Sequence, residues 1–349
     1  MKRHRLEDGA GYFAKRARQR ALCAASLWII ASIGLAWARE PDDPVAKRSD
    51  PLTLAADPSD GGIAVIYPKT GQPYQGFFLK IVEGVEATAG KKLRVASFSV
   101  GPDADLKQLG HELLERDFRV TIALGRTGIK AARTFPPQIH VVAGAVVTAT
   151  ESEASGLSVY SLAPDPALLF GQLLRLAPEI KRVFVLYDAR QNSWLIELAR
   201  EAARMHGLEL IAHHASDLQS AVRQYQKFLA GANPRADALW LPPDLTTVDD
   251  STVLPFVLQQ AWNRKLTVFS SSLTHVERGV LFSLYPDNLA VGRSLANHAL
   301  AQLALGRPAS PRMVPLRDVL IAVNTRSASH LGIKLGSKPR QDFDLVFPE

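Results

Sequence analysis

The chain holds one cysteine among its 349 residues, Cys23, and that residue sits inside an apolar run near the N-terminus. Beyond it there is no thiol. A disulfide framework, a zinc–thiolate site and cysteine nucleophilic catalysis are therefore excluded from the remainder. Catalytic signatures are missing as well: no G-x-S-x-G elbow, no phosphate loop ending in Gly-Lys-Ser/Thr, and no H-E-x-x-H. His111, His206, His275, His298 and His330 are scattered singly. The adjacent pair His213-His214 would point its rings to opposite faces of a strand, so a shared metal is not expected. No enzymatic activity, cofactor or metal is expected from these residues.

Long apolar runs are equally scarce, and only residues 21–38, ALCAASLWIIASIGLAWA, form one. Lys2, Arg3, Arg5, Lys15, Arg16, Arg18 and Arg20 precede it, and Ala36-Trp37-Ala38 closes it with an A-x-A cleavage signal. The pattern predicts a secretory signal peptide over 1–38, cut after Ala38, and hence a periplasmic protein. The alternative is an uncleaved anchor, because the run is nearly long enough to span a bilayer. Arg20-Ala21-Leu22 before Cys23 does not form a lipoprotein cleavage box. Charge points the same way. The formal net charge is +7, of which residues 1–38 carry +5 (seven Lys/Arg against Glu7 and Asp8), leaving +2 for everything else. A basic surface for nucleic acid is not expected.

What is present is alternation. Residues 39–60 are rich in Pro, Asp and other charged residues and read as a flexible tether. From Gly61 onward, short β-branched runs alternate with helical stretches. The runs are 63–67, 93–98, 119–124 and 140–144, then 182–187, 208–212, 238–241, 266–269 and 280–284. Helices are expected over about 74–89, 103–116, from Thr127, 193–206, 217–230, 252–263 and 288–305. Asp103 and Asp217 are candidate N-caps, and Gly90, Gly207 and Gly306 candidate closing residues. Near-continuous apolar strands alternating with helices imply parallel sheets covered on both faces. The stretch is too long for one ordinary core, so two α/β blocks are expected, roughly 61–156 and 158–286.

Several segments, in order, carry a family resemblance: Ile122–Ala132 with its Gly125-Arg126-Thr127-Gly128 loop, Arg182–Asp188, Leu239–Asp244 with Pro242-Pro243-Asp244, Val268–Ser272, Val276–Arg293 and Asn324–Ile333. In these the chain resembles the periplasmic substrate-binding proteins of ABC importers, type I fold. It is similar to the branch of uncharacterised ABC transporter substrate-binding proteins, some of which bind aromatic amino acids. It departs from that pattern at Glu86–Gly90, at Val146–Thr150 and at Tyr67-Pro68-Lys69-Thr70, all expected to face a ligand.

The resemblance implies two Rossmann-like lobes with parallel sheets, 61–157 plus 287–312 and 158–286 plus 313–345, joined by a three-strand hinge. Crossings are expected near 157–160, 285–287 and 308–316. Open parallel sheets bind ligands beyond the carboxyl ends of their strands, which selects the candidate residues. Gly125, Arg126 and Thr127 open a helix whose N–H groups suit a carboxylate or phosphate; Arg126 is equally readable as a solvated arginine. Asp188 and Asp244 end strands and suit a ligand ammonium or hydroxyl, or a helix cap. Asn192 and Ser193 are expected to begin the next helix. Ser271 and Ser272 are donors or loop-satisfying hydroxyls. Tyr67 and Tyr285 stand at strand exits, for ligand stacking or hinge packing. Trp194 and Trp240 are expected in the core. The implied function is capture of a small polar ligand, an amino acid or similar, by a monomer that presents it to an ABC permease. The alternative is a sensor or scaffold of the same fold without transport.

Overall fold

In the computed structural model of the chain, the described residues, 61–348 apart from 73, 90–92 and 337–338, build two sheets. The signal segment, its cleavage site and the tether expected over 1–60 lie outside the described residues.

The first sheet grows from β1 (Gly62–Pro68), α1 (Tyr74–Ala89), β2 (Arg94–Val100), α2 (Leu106–Glu115), β3 (Phe118–Leu124), α3 (Gly125–Ala132), β4 (His140–Val146), α4 (Glu151–Ala154) and β5 (Ser158–Pro164). The second follows with α5 (Pro166–Leu176), β6 (Arg182–Tyr187), α6 (Ala189–His206), β7 (Glu209–His214), α7 (Leu218–Gly231), β8 (Asp237–Leu241), α8 (Val253–Arg264), β9 (Thr267–Ser270), α9 (Leu273–Glu277) and β10 (Phe282–Pro286). Then come α10 (Asn288–Leu305), β11 (Arg312–Leu316), β12 (Val319–Asn324), α11 (Thr325–His330), α12 (Pro339–Asp342) and β13 (Leu345–Phe347).

The first sheet has the order β11-β5-β4-β3-β1-β2 and is parallel throughout. The second runs β13-β12-β10-β9-β8-β6-β7, parallel except for the antiparallel pair β10–β12. Both are covered on two faces, and β1 shows why its sequence is uninterruptedly apolar. Ile63, Val65 and Tyr67 pack toward α1 and α10, whereas Ala64 and Ile66 pack against Leu113 of α2 and Ile139 on the other side. In the second sheet Val183, Val185 and Trp240 face α5 and α6, while Phe184, Leu186 and Leu239 face α7 and α8. Alternate side chains thus feed opposite cores, as the period of a strand requires.

The lobes are discontinuous in sequence. Strands β5 and β11 pair in the first sheet, so the expected lobe limits at 157/158 and 312/313 move outward. The chain leaves the first sheet after Pro164, returns after Pro286 and leaves again after Leu316. Asp165 marks the first crossing: its N–H donates to Leu316 O at 2.9 Å, and its carboxylate accepts from Arg317 Nε at 2.9 Å. Two of the three crossings are thereby tied side by side. Helix α10 completes the first lobe. Its Gly292 lies so close to α1 that an added Cβ would stand 2.0 Å from Ile81 O, and one added at Gly84 would stand 2.2 Å from Leu289 O. This backbone-to-backbone approach requires glycine on both helices.

Among the described residues no helix is long and apolar enough to cross a membrane.

Candidate functional site

The carboxyl ends of both sheets meet around a cleft of about 640 Å³, within the range of small-molecule sites. From the first lobe come Pro68 at the end of β1 and Thr70 beyond it, Tyr74 and Phe78 of α1, Gly125–Thr127 after β3, Ala145 and Val146 at the end of β4, and Val147 and Thr148 beyond it. The second lobe supplies Gln191 of α6, the Pro242–Leu245 loop after β8, Val248 and Asp250, and Ser271, Ser272 and His275 after β9. Across one edge Thr148 Oγ1 donates to Gln191 Oε1 at 3.5 Å.

Local chemistry explains the shape. Helix α3 starts directly on the end of β3. Its N-cap is Leu124, which offers no side-chain acceptor, and Gly125 takes φ +70° beside Pro68 and Phe78. A Cβ on Gly128 would fall 2.7 Å from the Ala123 carbonyl carbon, so glycine there lets α3 lie on the strand backbone. The first-turn N–H groups of α3 consequently open toward the cleft without a side-chain cap. On β4, Ala145 adopts φ 56° where the pairing with β5 shifts register. The irregularity re-aims Val146 and Val147 at the cleft. Thr70 Oγ1 is buried in the wall with no hydrogen-bond partner.

The charged side chains are mostly engaged with each other. Arg126 pairs with Glu153 and also donates to Thr148 O at 3.4 Å. Glu153 is held below the usual carboxylate range, first by the backbone N–H of Thr150 and then by Arg126. Asp244, 3 % exposed, spends its carboxylate inside the lobe: Oδ2 accepts Asp188 N at 2.5 Å and Asn192 Nδ2 at 2.9 Å, and Oδ1 accepts Thr246 N and Thr247 N at 3.0 Å each. Asp188 is turned away from the cleft. It caps α6 through Arg190 N at 3.0 Å, pairs with Arg190 Nη2 at 2.6 Å and accepts Thr246 Oγ1 at 3.0 Å. Side-chain hydrogen bonding from Arg190 lowers its carboxyl to about 2.

His275 is buried between two partners, with Nδ1 2.8 Å from Ser270 Oγ and Nε2 3.0 Å from Asp250 Oδ1. The set resembles a hydrolytic triad in spacing, but Ser270 is 0 % exposed. Its hydroxyl also accepts Ser272 N at 3.0 Å and lies 3.2 Å from Leu241 O. A nucleophile needs access to a carbonyl carbon, and this hydroxyl has none. The set fastens the loop after β9 to the end of β8. Burial lowers the imidazole's affinity for a proton, and Asp250 opposes that only in part. Among the described residues no three His, Cys, Asp or Glu side chains gather in a metal-ligating group.

Of the residues selected from sequence, the structure gathers Gly125, Arg126, Thr127, Asp244, Ser271 and Ser272 at the cleft. Tyr67, Asp188 and Tyr285 lie away from its wall. Tyr67 is 9 % exposed and packs its ring on Phe78 at 6.1 Å between centroids. Tyr285 sits half-buried at the second crossing, where burial raises its phenol and Asp344 and Asp287 add to the effect. Helix α6 begins at Ala189 under an Asp188 cap, so Asn192 is a buried tie to Asp244 instead of a helix start. Trp240 is core, with its Nε1 donating to Ser271 Oγ at 3.0 Å; Trp194 packs against the same core and lines a separate cavity with Leu157, Arg190 and Met313. Sequence reasoning missed Tyr74 and Leu245. They are 70 % and 88 % exposed, stand on opposite lobes and both line the cleft; an aromatic after Gly71 and an apolar residue after Pro-Pro-Asp were the available signals.

Two covered α/β sheets, three crossings and a cleft at the strand ends define a two-lobed binding protein of the type I periplasmic fold. Residues 104–338 match the family described as ABC transporter substrate binding protein, and the chain belongs to that family. Among solved structures it is similar to the ligand-free, open form of CD0873, a substrate binding protein with adhesive properties from Clostridium difficile. The two are 17 % identical, covering 80 % of this chain and 97 % of that one, with a TM-score of 0.54. It is also similar to the ABC domain in complex with L-Trp from Streptococcus pneumonia, at 16 % identity, 83 % and 100 % coverage and a TM-score of 0.49. At these identities the likeness concerns the fold. No curated protein matches the chain.

Proposed function

We propose that this protein is an extracytoplasmic solute-binding protein that captures a small ligand between its lobes and presents it to an ABC permease. The observation that carries the reading is the cleft itself, about 640 Å³ in volume and lined from both lobes at the strand ends. Among the described residues the chain passes between the lobes in short crossings around Asp165, Asp287 and Arg317, which suits hinge closure over a guest. Membrane partners then distinguish the closed form from the open one. Within the cleft, the first-turn N–H groups at Gly125, Arg126 and Thr127 hold the ligand's anionic group. Thr70, Ser271 and Ser272 supply hydroxyls, and Tyr74, Phe78 and Leu245 cover its apolar body. Asp244 acts by shaping the loop that carries Leu245.

Small-angle scattering and thermal denaturation of the leaderless protein against amino acids and small carboxylates test this. A true ligand raises the melting temperature and lowers the radius of gyration together; saturation at about 100 times Kd adds about 2.7 kcal/mol of stability. A cleft that neither closes nor gains stability with any of them refutes the proposal.

A further inference from the structure

Gln191 of α6 lines two cavities, the cleft and a second one of about 250 Å³. The walls of the second come from both lobes. The first lobe supplies residues 154–157, where α4 runs into β5, and residues 311–313 at the start of β11. The second supplies Arg190, Gln191 and Trp194 near the start of α6. The volume lies just below the range of drug-sized sites, which suits a guest of one ring or a short branched chain.

The charge of this lining has one sign. Among the described residues no Asp or Glu lines the cavity, whereas two guanidiniums do. Arg190 is held on Asp188 through Nε at 3.0 Å and Nη2 at 2.6 Å, so most of its charge is answered and Nη1 is left over. Asp188 is closed to a guest: its side chain is 2 % exposed, and Arg190 N and Thr246 Oγ1 also bind its oxygens. Arg312 carries the unanswered charge. It is exposed at the first position of β11 and forms no hydrogen bond or ion pair among the described residues. Tyr160 and His298, stacked at 4.2 Å between ring centroids, feel its field. Burial and then Arg312 disfavour the imidazolium of His298, and neither ring offers Arg312 an anion. The rest of the wall is largely apolar, from Leu157 and Met313 on one lobe to the indole of Trp194 on the other. The Trp194 Nε1–H is buried without an acceptor, which is costly to leave unmet. What this cavity lacks is a negatively charged group.

We infer that the cavity is a second ligand site, separate from the cleft, for a small carboxylate with a compact apolar body. The carboxylate lies on the Arg312 guanidinium, and the body lies against Leu157, Met313 and Trp194. A guanidinium grips a planar carboxylate through two parallel N–H···O bonds, and apolar surroundings strengthen that pair relative to water. One free guanidinium matches one negative charge, which favours a monocarboxylate over a phosphate dianion. The inference is independent of what the cleft binds.

Heteronuclear NMR of the purified protein tests it, with the indole N–H resonance of Trp194, assigned through Trp194→Phe, as the local reporter. Benzoate and 3-methylbutanoate are the probes, and each is expected to shift that resonance saturably below about 10 mM. Benzamide keeps the ring and loses the charge; acetate keeps the charge and loses the body. Both are expected to bind at least about tenfold more weakly than benzoate. Arg312→Gln should weaken the two probes at least about tenfold, and Arg312→Lys by less, because an ammonium keeps the charge without the paired geometry. Neither variant should move the melting temperature of the unliganded protein, since Arg312 is exposed and unbonded. A Trp194 resonance that stays fixed with both probes overturns the inference, and so does one that inorganic phosphate shifts as readily as benzoate. Undiminished binding in Arg312→Gln overturns it as well. Benzoate held in the cleft alone would leave the Trp194 resonance in place, so this site can fail while the solute-binding proposal stands.

Discussion

Asp244 Oδ2 accepts the backbone N–H of Asp188 at 2.5 Å, so the exit of β8 is fastened to the exit of β6 by a side chain that sequence alone offers to a ligand. The same carboxylate also gathers Asn192, Thr246 and Thr247. Removing it leaves three backbone donors without this acceptor and leaves Asn192 Nδ2 only its longer bond to Pro243 O at 3.4 Å. Asp244→Ala is expected to destabilise the protein by about 3 kcal/mol, and Asp244→Asn by about 2 kcal/mol, because buried donors without acceptors are costly. Urea denaturation measures both. Wild-type stability in Asp244→Ala would refute the structural role.

Asp188 gives the protein an acid limit. Its folded carboxyl is lowered from 3.8 to about 2, with Arg190 as the leading cause. A lowered folded value means that the unfolded chain binds the proton first. The stabilisation is therefore complete above 3.8, and it is lost as pH falls from there toward about 2. The amount is about 2 kcal/mol at neutral pH. Melting temperature measured across that window should drop in the wild type, and more shallowly in Arg190→Gln. Parallel profiles for the two proteins count against the assignment.

The glycine pair between α1 and α10 is expected to tolerate no side chain. Gly84→Ala and Gly292→Ala each place a methyl within 2.2 Å of a carbonyl oxygen on the partner helix. The helices must separate, at a cost of about 3 kcal/mol or more. Thermal melts of the two variants check this, and a loss under about 1 kcal/mol would show that the helices part easily.

Ser270 should stay inert although it hydrogen-bonds a histidine that holds an aspartate. With 0 % exposure it is expected to resist labelling by a fluorophosphonate under native conditions. The relay should surface as stability instead. Burial lowers the folded His275 value below 6.5, so the unfolded chain protonates first and stability declines as pH drops below that point. His275→Gln should flatten this part of the profile, read as melting temperature at neutral and mildly acidic pH. Covalent modification at Ser270 would instead argue for hydrolase chemistry at this set.

Much of the architecture was legible because the strands are buried on both faces. Runs such as Ile63–Tyr67 and Val183–Tyr187 announce themselves by continuous apolarity, and their alternation marked two α/β blocks, whereas the discontinuous two-lobe plan came from the family resemblance. Strands β5 and β11 were not legible. Ser158, Tyr160 and Ser161 interrupt the first, and Pro315 sits in the second at a register shift on the sheet edge. The cleft was legible in its first lobe, where a Gly-Arg-Thr loop after a strand can do little but open a helix. It was misleading in the second. A carboxylate at a strand end looks the same in sequence whether it meets a ligand or the neighbouring backbone, and only the loop positions of Thr246 and Thr247 decide the matter for Asp244. Tyr74 and Leu245 escaped notice because exposure is a property of the assembled lobes.

The return of α10 to the first lobe has a consequence for biogenesis. Ile81 and Val85 of α1 are sheltered by Leu295 and Ala299, which are translated long after them. A nascent chain that has emerged only through Pro164 owns five parallel strands yet leaves that flank greasy and open. Maturation of the N-terminal half must await its own C-terminal helix, and a fragment that stops before Asn288 will carry an unsealed hydrophobic side.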